Sequence, residues 1–293
     1  MRSNSDTAPA SDPRAPFDVA RLRRVLVDTD PHTPGAPAGA GFYSRVDVVA
    51  ETGSTNADLL ADTSSTAGTP VDRRVLLAEH QTGGRGRHAR PWAGVPGAQV
   101  IVSVLVRLPG VALADLGWLP LLTGIATVDA VREVTGVPAE LKWPNDVLVD
   151  GRKLAGILVE VASTSPVPTV VSGVGLNVSL TEDELPVPTA TSLWLAGARD
   201  LDRTHLAEAL LAAFADRMRQ WERHGWDPTV AADAYRQRCS TIGKRVRAIL
   251  PGDTELHGEA VDIDEQGRIV ILPDGDGEPV AIAAGDITHL RPV

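Results

Sequence analysis

The sequence predicts an α/β fold, a central sheet with flanking helices, followed by a small β-barrel at the C-terminal end. Three observations carry this. Between residues 45 and 240, short Val- and Ile-rich runs alternate with segments whose apolar residues recur at three- and four-residue steps. An Asp150-Gly151 pair separates two apolar runs, a hairpin signal because both central positions of the tight turn need positive φ. After Thr241 the texture changes to short apolar runs split by Gly, Asp and Pro.

The elements follow in order. Residues 1–44 stand apart: Pro9, Pro13, Pro16, Pro31, Pro34 and Pro37 punctuate Ser, Ala, Gly and charge, so mostly disorder is expected. One short helix is expected over Phe17–Val27, where Val19, Leu22, Val25 and Leu26 share a face. The segment is too short and too Pro-rich for a winged helix-turn-helix. Val46, Val48 and Val49 begin a strand that leads into Glu51-Thr52-Gly53-Ser54-Thr55-Asn56, and a helix follows through Leu59 and Leu60, capped by Ser54 or Thr55. Val75–Glu79 and Gln99–Leu108 read as strands, and Leu113–Val134 as a helix whose start is obscured by Pro120. Glu140–Val149 and Lys153–Val161 are the two arms of the hairpin, and Thr169–Val178 is a further strand. Thr204–Trp221 is amphipathic, with Leu206, Leu210, Phe214, Met218 and Trp221 on one stripe, and a short helix lies near Val230–Cys239. Val246–Leu250, Leu256–Ile263, Ile269–Leu272 and Val280–Ala283 make a barrel of about 50 residues, SH3-like in size. The expected organisation is an extension over 1–44, a main domain over 45–240 and a barrel over 241–293.

Composition narrows the function. A chain of 293 residues with 43% hydrophobic and 23% charged residues has the make-up of a globular protein with a sizeable core. A net charge of −10 argues against a protein that coats nucleic acid. A single cysteine, Cys239, excludes an intrachain disulfide and Cys-rich metal sites, suits a reducing cytoplasm, and is expected to be inert core. The longest uncharged apolar stretch, between Asp115 and Asp129, is 13 residues and contains Gly117 and Pro120. That is short of the roughly 18–20 needed to span a bilayer, so no membrane span is expected, and no secretory leader is visible. The phosphate-loop, zincin and nucleophile-elbow patterns are missing, and the seven histidines lack ligand spacing.

Four segments could carry chemistry. Gln81-Thr82-Gly83-Gly84-Arg85-Gly86-Arg87-His88-Ala89-Arg90-Pro91-Trp92 combines glycines that let backbone N–H groups approach a ligand with three arginine forks for phosphate or carboxylate oxygens. Its formal G-x-G-x-x-A match is not a dinucleotide fingerprint, because Pro91 opposes the helix that the fingerprint must open. Alone, the segment reads equally well as a solvated loop. Lys142-Trp143-Pro144-Asn145-Asp146 is followed by Arg152-Lys153-Leu154-Ala155-Gly156-Ile157. Lys153 enters an apolar strand with no acidic residue as its obvious strand neighbour, so a ligand carboxylate or phosphate is its expected partner; a lysine that snorkels to water is the alternative. Gly173-Val174-Gly175-Leu176-Asn177 places glycine inside a strand, which marks either a close ligand approach or a bulge. Ser54-Thr55-Asn56 is either a polar ligand cradle or a plain helix cap.

Together, in this order and at this spacing, these segments resemble the biotin protein ligase family. The resemblance covers about Arg45 to the C-terminus. It implies a mixed central sheet of the type shared with class II aminoacyl-tRNA synthetases, an SH3-like C-terminal domain, and a two-step reaction. Biotin and MgATP form biotinyl-5′-AMP and pyrophosphate; a lysine of a biotin carboxyl carrier domain, of an acyl-CoA or pyruvate carboxylase, then attacks and AMP leaves. By resemblance, Ser54, Thr55 and Asn56 meet the ureido end of biotin, beside Gln81, Gly84, Arg85 and Gly86. Unmatched polar groups there would be costly once buried. Arg87 and Lys153 hold the biotin carboxylate and then the adenylate phosphate from opposite sides, which offsets repulsion between carboxylate and triphosphate. Arg90, Lys142, Asn145 and Asn177 are implied nucleotide or phosphate contacts, and Trp92 stacks on adenine. Gly156, Gly173 and Gly175 leave room for the thiophane ring and valeryl chain. Asp146 orients or deprotonates the incoming lysine, or helps to hold Mg²⁺. The Gly/Arg loop is expected to be mobile without ligand and to order over the adenylate.

The family includes repressors with an N-terminal winged helix-turn-helix, and the composition of residues 1–44 predicts a ligase that binds no DNA. Three rival readings remain open at this point: a lipoate ligase, an RNA-binding module built on the Arg/Gly loop and Trp92, and a biotin sensor without catalysis.

Overall fold

The Val- and Ile-rich runs pair into one seven-stranded sheet. Its strands are β1 (Arg45–Val49), β2 (Arg74–Ala78), β3 (Gln99–Arg107), β4 (Glu140–Lys142), β5 (Asp146–Val149), β6 (Arg152–Ser163) and β7 (Thr169–Asn177), in the spatial order β1-β2-β3-β7-β6-β5-β4. β1 and β2 run parallel and every other neighbouring pair is antiparallel, so the sheet is mixed. This computed structural model describes residues 12–63, 72–250, 254–275, 277–283 and 286–289.

β3 and β7 are central and almost wholly buried, which explains why they read as near-continuous apolar runs. Side chains still alternate between faces. Val100, Val102 and Val104 of β3, with Val170 and Val174 of β7, join the main core under α3 (Trp118–Thr135) and α4 (Arg203–Arg223). Leu105 and Val171 turn the other way, to Leu59 on α2 (Thr55–Thr63). The face under α2 carries the functional site.

Pro120 sits in the first turn of α3, whose backbone N–H groups have no intrahelical acceptor, so it interrupts nothing. By length and composition Leu113–Thr135 could cross a bilayer. It is instead the core helix: 13 of the 18 residues of α3 are buried.

Asp150 and Gly151 take φ of 50° and 76°, the geometry expected of the tight hairpin turn between β5 and β6. The arm expected over Glu140–Val149 is, however, two strands. Pro144 has no N–H for a ladder, and the chain reverses at Trp143–Asn145 so that β4 pairs with β5.

The disorder expected before Arg45 is corrected for residues 12–44; residues 1–11 lie outside the described residues. α1 (Val19–Arg23) runs on as a π-turn over Arg24–Asp28, within the span expected to be helical. Phe17, Leu22, Leu26, Phe42 and Tyr43 are buried in the main core. Tyr43 Oη donates to the Leu211 carbonyl at 2.6 Å, and burial holds its phenol well above the usual range. Composition counted the prolines but could not see that α4 offers these five side chains a surface.

After α5 (Thr229–Arg236), a five-stranded antiparallel sheet forms from β8 (Lys244–Ile249), β9 (Glu255–Ile263), β10 (Ile269–Pro273), β11 (Val280–Ile282) and β12 (Asp286–His289), ordered β11-β10-β9-β8-β12. β12 was not legible, because Asp286-Ile287-Thr288-His289 has no apolar run. The turn between β9 and β10 anchors this sheet: Trp118 Nε1 donates to Glu265 O at 2.8 Å and Trp143 Nε1 to Gly267 O at 3.0 Å. Cys239 is buried, as expected.

Candidate active site

A cavity of about 600 Å³ opens on the α2 face of the sheet. Its floor follows from strand register. Ser103 of β3, Gly173 of β7 and Leu158 of β6 lie side by side; two residues along come Ile101, Gly175 and Gly156; two further come Gln99 and Asn177. Each step of two residues is about 6.7 Å, so the floor runs about 13 Å from first row to last.

The first row is a closed polar network. Thr55 donates from both its N–H (2.8 Å) and its Oγ1 (2.9 Å) to Gln81 Oε1. Thr55 Oγ1 and Ser103 Oγ lie 2.7 Å apart, and Ser103 Oγ donates to Asn56 Oδ1 at 2.6 Å. Asn56 Nδ2 spends its two hydrogens on Leu158 O (3.1 Å) and Glu160 (2.8 Å). Ser54 Oγ accepts from Ala57 N–H at 3.4 Å, so this serine is also the cap of α2. A Cβ on Gly173 would overlap the Asn56 amide.

The middle row is covered by Trp92. Its indole lies on Gly156 and Gly175, where a Cβ would collide with it, and its Nε1 is buried without a hydrogen-bond partner among the described residues. The missing side chains of these two glycines admit an aromatic ring from the Gly/Arg loop. Trp92 thus lies against the sheet floor.

At the third row Gln99 Nε2 donates to Asn177 Oδ1 at 2.8 Å, and Asn177 Nδ2 to Thr191 O at 2.9 Å. Asn145 is pinned to β6 through Ile157 O (2.9 Å), and its Oδ1 accepts from Arg87 Nη1 at 3.3 Å. Lys153 Nζ pairs with Asp146 Oδ1 at 2.6 Å and lies 5.6 Å from the centroid of the Trp92 ring. The expectation that Lys153 lacks an acidic neighbour is therefore corrected. A bulge between Val147 and Leu148 shifts the β5–β6 register, bringing Asp146 opposite Gly156 and within reach of Lys153.

Of the residues singled out in the sequence, Ser54, Thr55, Asn56, Gln81, Arg85, Gly86, Arg87, Arg90, Trp92, Lys142, Asn145, Asp146, Lys153, Gly156, Gly173, Gly175 and Asn177 all line the cavity. Gly84 does not. It packs beneath the Trp92 carbonyl and the Gln81 side chain, where any Cβ would be crowded, so its role is to let the loop fold back on itself. The expected helix-breaking effect of Pro91 is matched by a loop with a single 3₁₀ turn, Arg87–Ala89, in which His88 and Ala89 take positive φ.

Sequence reading missed Ser103, Gln99, Glu160, Pro186, Val187 and Ala190. Ser103 had a signal, a lone hydroxyl in the apolar run Val100–Val106 that is fully buried and so must be hydrogen-bonded. Pro186, Val187 and Ala190 had none, since their place on the cavity wall depends on how residues 178–191 cross the sheet.

Among the described residues, five cations, Arg85, Arg87, Arg90, Lys142 and Lys153, line the cavity against one carboxylate, Asp146, in a chain of net charge −10. Such a local reversal of sign favours an anionic ligand. Fold and site together define an α/β enzyme domain built for an elongated molecule, polar at one end and anionic at the other. Residues 51–177 match the Biotin/lipoate A/B protein ligase family, and residues 241–290 match the Biotin protein ligase C terminal domain. Over 95% of its length the chain is 48% identical to the biotin--[acetyl-CoA-carboxylase] ligase of Mycobacterium tuberculosis, 97% of which is covered. It is 33% identical to the bifunctional ligase/repressor BirA of Bacillus subtilis, over 75% of this chain and 69% of that protein. The fold is shared with the biotin protein ligase from Aquifex aeolicus solved in complex with biotin and ATP, at a TM-score of 0.70 and 24% identity, over 85% of this chain and 100% of that one. The chain belongs to the biotin protein ligase family.

Proposed function

We propose that the cavity binds biotin and ATP, forms biotinyl-5′-AMP, and passes biotin to a lysine of the carrier domain of acyl-CoA carboxylases, with pyruvate carboxylase a further acceptor. The observation that carries this reading is a closed hydroxyl and amide network in the first row of the floor, with Arg87, Lys142 and Lys153 gathered around Asn145 and Asp146 beside Gly156 of the middle row. The ureido bicycle meets Ser54, Thr55, Gln81 and Ser103. Asn56 acts there through its carbonyl oxygen, because its N–H groups are already committed. The biotin carboxylate then lies between Arg87 and Lys153.

In the first step a carboxylate oxygen attacks the α-phosphorus, the bond to the bridging oxygen breaks, and pyrophosphate leaves. Arg87, Lys142 and Lys153 offset the charge that builds there. In the second step the neutral lysine amine attacks the acyl carbon, the bond to AMP breaks, and the amine proton passes to Asp146. Asp146 is available for this once Lys153 turns from it to the phosphate. The Mg²⁺ expected with ATP fits these residues as a phosphate-held ion. No cluster of three or more His, Cys, Asp or Glu is present among the described residues, and Asp146 is the one carboxylate lining the cavity. The ion would screen the triphosphate.

Arg87 and Trp92 lie on the loop that covers the middle row, and this loop shields the adenylate from water. Arg87→Gly is expected to release the adenylate and label proteins indiscriminately; labelling that stays confined to the carrier would refute this. Residues 12–44 form one short helix and its continuing turn packed on the core rather than a winged helix-turn-helix, which supports a ligase that does not bind DNA through this segment, and the single cysteine supports its acting in a reducing cytoplasm. Transfer of labelled biotin to a purified carrier domain tests the whole reading, with and without ATP and Mg²⁺ and beside lipoate. ATP-dependent labelling of one lysine is expected. Tight biotin binding without transfer would favour the sensor, and preference for lipoate the rival ligase.

A further inference from the structure

Residues 178–191 run from Asn177 on the third row of the floor to a pairing with Lys153, and form a wall of the cavity through Pro186, Val187 and Ala190. Both ends of the stretch are tied to the sheet. Val178 N–H donates to Ala98 O at 3.0 Å, Lys153 N–H to Thr189 O at 2.7 Å, and Thr191 N–H to Lys153 O at 2.8 Å. Its middle is held from outside the main domain. Arg14 Nε donates to Ser179 Oγ (3.2 Å), its Nη2 to Ser179 O (3.0 Å), and its two Nη groups fork onto Glu184 at 3.1 and 2.6 Å. Glu184 in turn accepts from Thr181 N–H at 3.0 Å, closing the 3₁₀ turn two residues before Pro186. Arg152 adds a contact to Glu182 at 2.8 Å.

The backbone beside Arg14 is held in turn. The buried guanidinium of Arg203 pairs with Glu79 at 2.6 Å, donates to the carbonyls of Ala15 and Gln99, and stacks 4.5 Å from the Phe17 ring. Phe17 N–H donates to Glu79 at 2.8 Å. Glu79 stands two residues before Gln81, and Gln99 is on the third row of the floor. The strap over residues 14–17 thus joins the base of the Gly/Arg loop to the wall over Asn177.

We propose that Arg14 is a positioning residue for the nucleotide: it fixes the wall of Pro186 and Val187 before ATP arrives, and the N-terminal strap is a working part of the ATP end of the site. The proposal rests on the ligase reading and goes beyond it. An ordered wall spares ATP the cost of ordering it. Biotin, seated at the network of Thr55 and Ser103, does not share in this gain.

The test uses the full chain. Arg14→Ala is compared with wild type in amide hydrogen exchange over residues 180–190 without ligand, and in KM for ATP and for biotin. Exchange is expected to quicken, and KM for ATP to rise about three- to tenfold, the scale of a half-exposed forked ion pair, with KM for biotin unchanged. Arg14→Lys, which keeps the charge and loses the fork, recovers part of the effect. Glu184→Gln frees the turn while Arg14 still holds Ser179; it gives the same pattern in weaker form and serves if Arg14→Ala does not fold. Unchanged exchange, a KM for ATP within about twofold of wild type, or equal rises in both KM values would overturn the proposal. Wild type that shows no ATP-dependent transfer would instead overturn the ligase reading, and this proposal with it.

Discussion

Ser103 shows how one hydroxyl can set a binding end. It is fully buried and bridges Thr55 to Asn56, so each is held in one rotamer and one amide orientation before any ligand enters. Ser103→Ala removes the hydrogen bond to Asn56 Oδ1 and the polar contact with Thr55 Oγ1, leaving Asn56 held by Leu158 and Glu160 and Thr55 by Gln81. Biotin affinity is expected to fall about tenfold, the equivalent of about 1.4 kcal/mol, with the fold retained. Titration calorimetry with biotin checks this, and an unchanged Kd would show that the network serves stability alone. Lys153 and Asp146 make the complementary case. Each neutralises the other at 2.6 Å, and in the proposed reaction the pair separates into a phosphate contact and a proton acceptor. Their pairing gives the partly exposed ammonium of Lys153 an anionic partner on the neighbouring strand.

At the scale of elements, the loop over residues 178–191 carries a pH-dependent tie. The Glu184 carboxyl is held below its ordinary value of 4.5, first by the hydrogen bond from Arg14 and then by the Thr181 N–H. A carboxylate with a depressed folded pKa contributes order that is fully present above its unfolded value and is lost as pH falls through the folded one. Amide exchange in residues 180–190, corrected for its intrinsic pH dependence, is therefore expected to lose protection as the solution is acidified below 4.5. Glu184→Gln should abolish that dependence, and a profile unaltered by the substitution would assign it elsewhere. The hairpin of β5 and β6 is the opposite kind of element, set by local chemistry alone: Asp150 and Gly151 adopt the positive φ that their turn requires.

For the molecule as a whole, two tryptophans couple the barrel to the main sheet. Trp118 and Trp143 are both buried, and their indole N–H groups end on carbonyls of the turn between β9 and β10. Trp143 belongs to the same Lys142–Asp146 segment that lines the cavity, so the barrel braces that segment. Trp143→Phe leaves the Gly267 carbonyl without its donor and is expected to cost about 1–3 kcal/mol. Urea unfolding of the full chain reads this as a lower midpoint; an unchanged midpoint would mean that the turn finds another donor. The buried wedge of Phe17, Leu22, Leu26, Phe42 and Tyr43 has the same standing at the other end of the chain.

Much of this was legible before folding. Periodicity located most of the strands and the long helices, Asp150-Gly151 located the hairpin, and the residues chosen from four short segments, Gly84 excepted, line one cavity. These features are local: a turn's φ values, a helix stripe or a strand's alternation depends on residues a few positions apart. The rest required contacts between distant residues. The rows of the floor exist because Ser103, Gly173 and Leu158 come into register across three strands. The pairing of Lys153 with Asp146 needed a bulge, the placing of Trp92 needed two glycines on different strands, and the order of residues 12–44 needed the surface of α4. A sequence states which side chains can satisfy one another, and the packed core decides which of them meet.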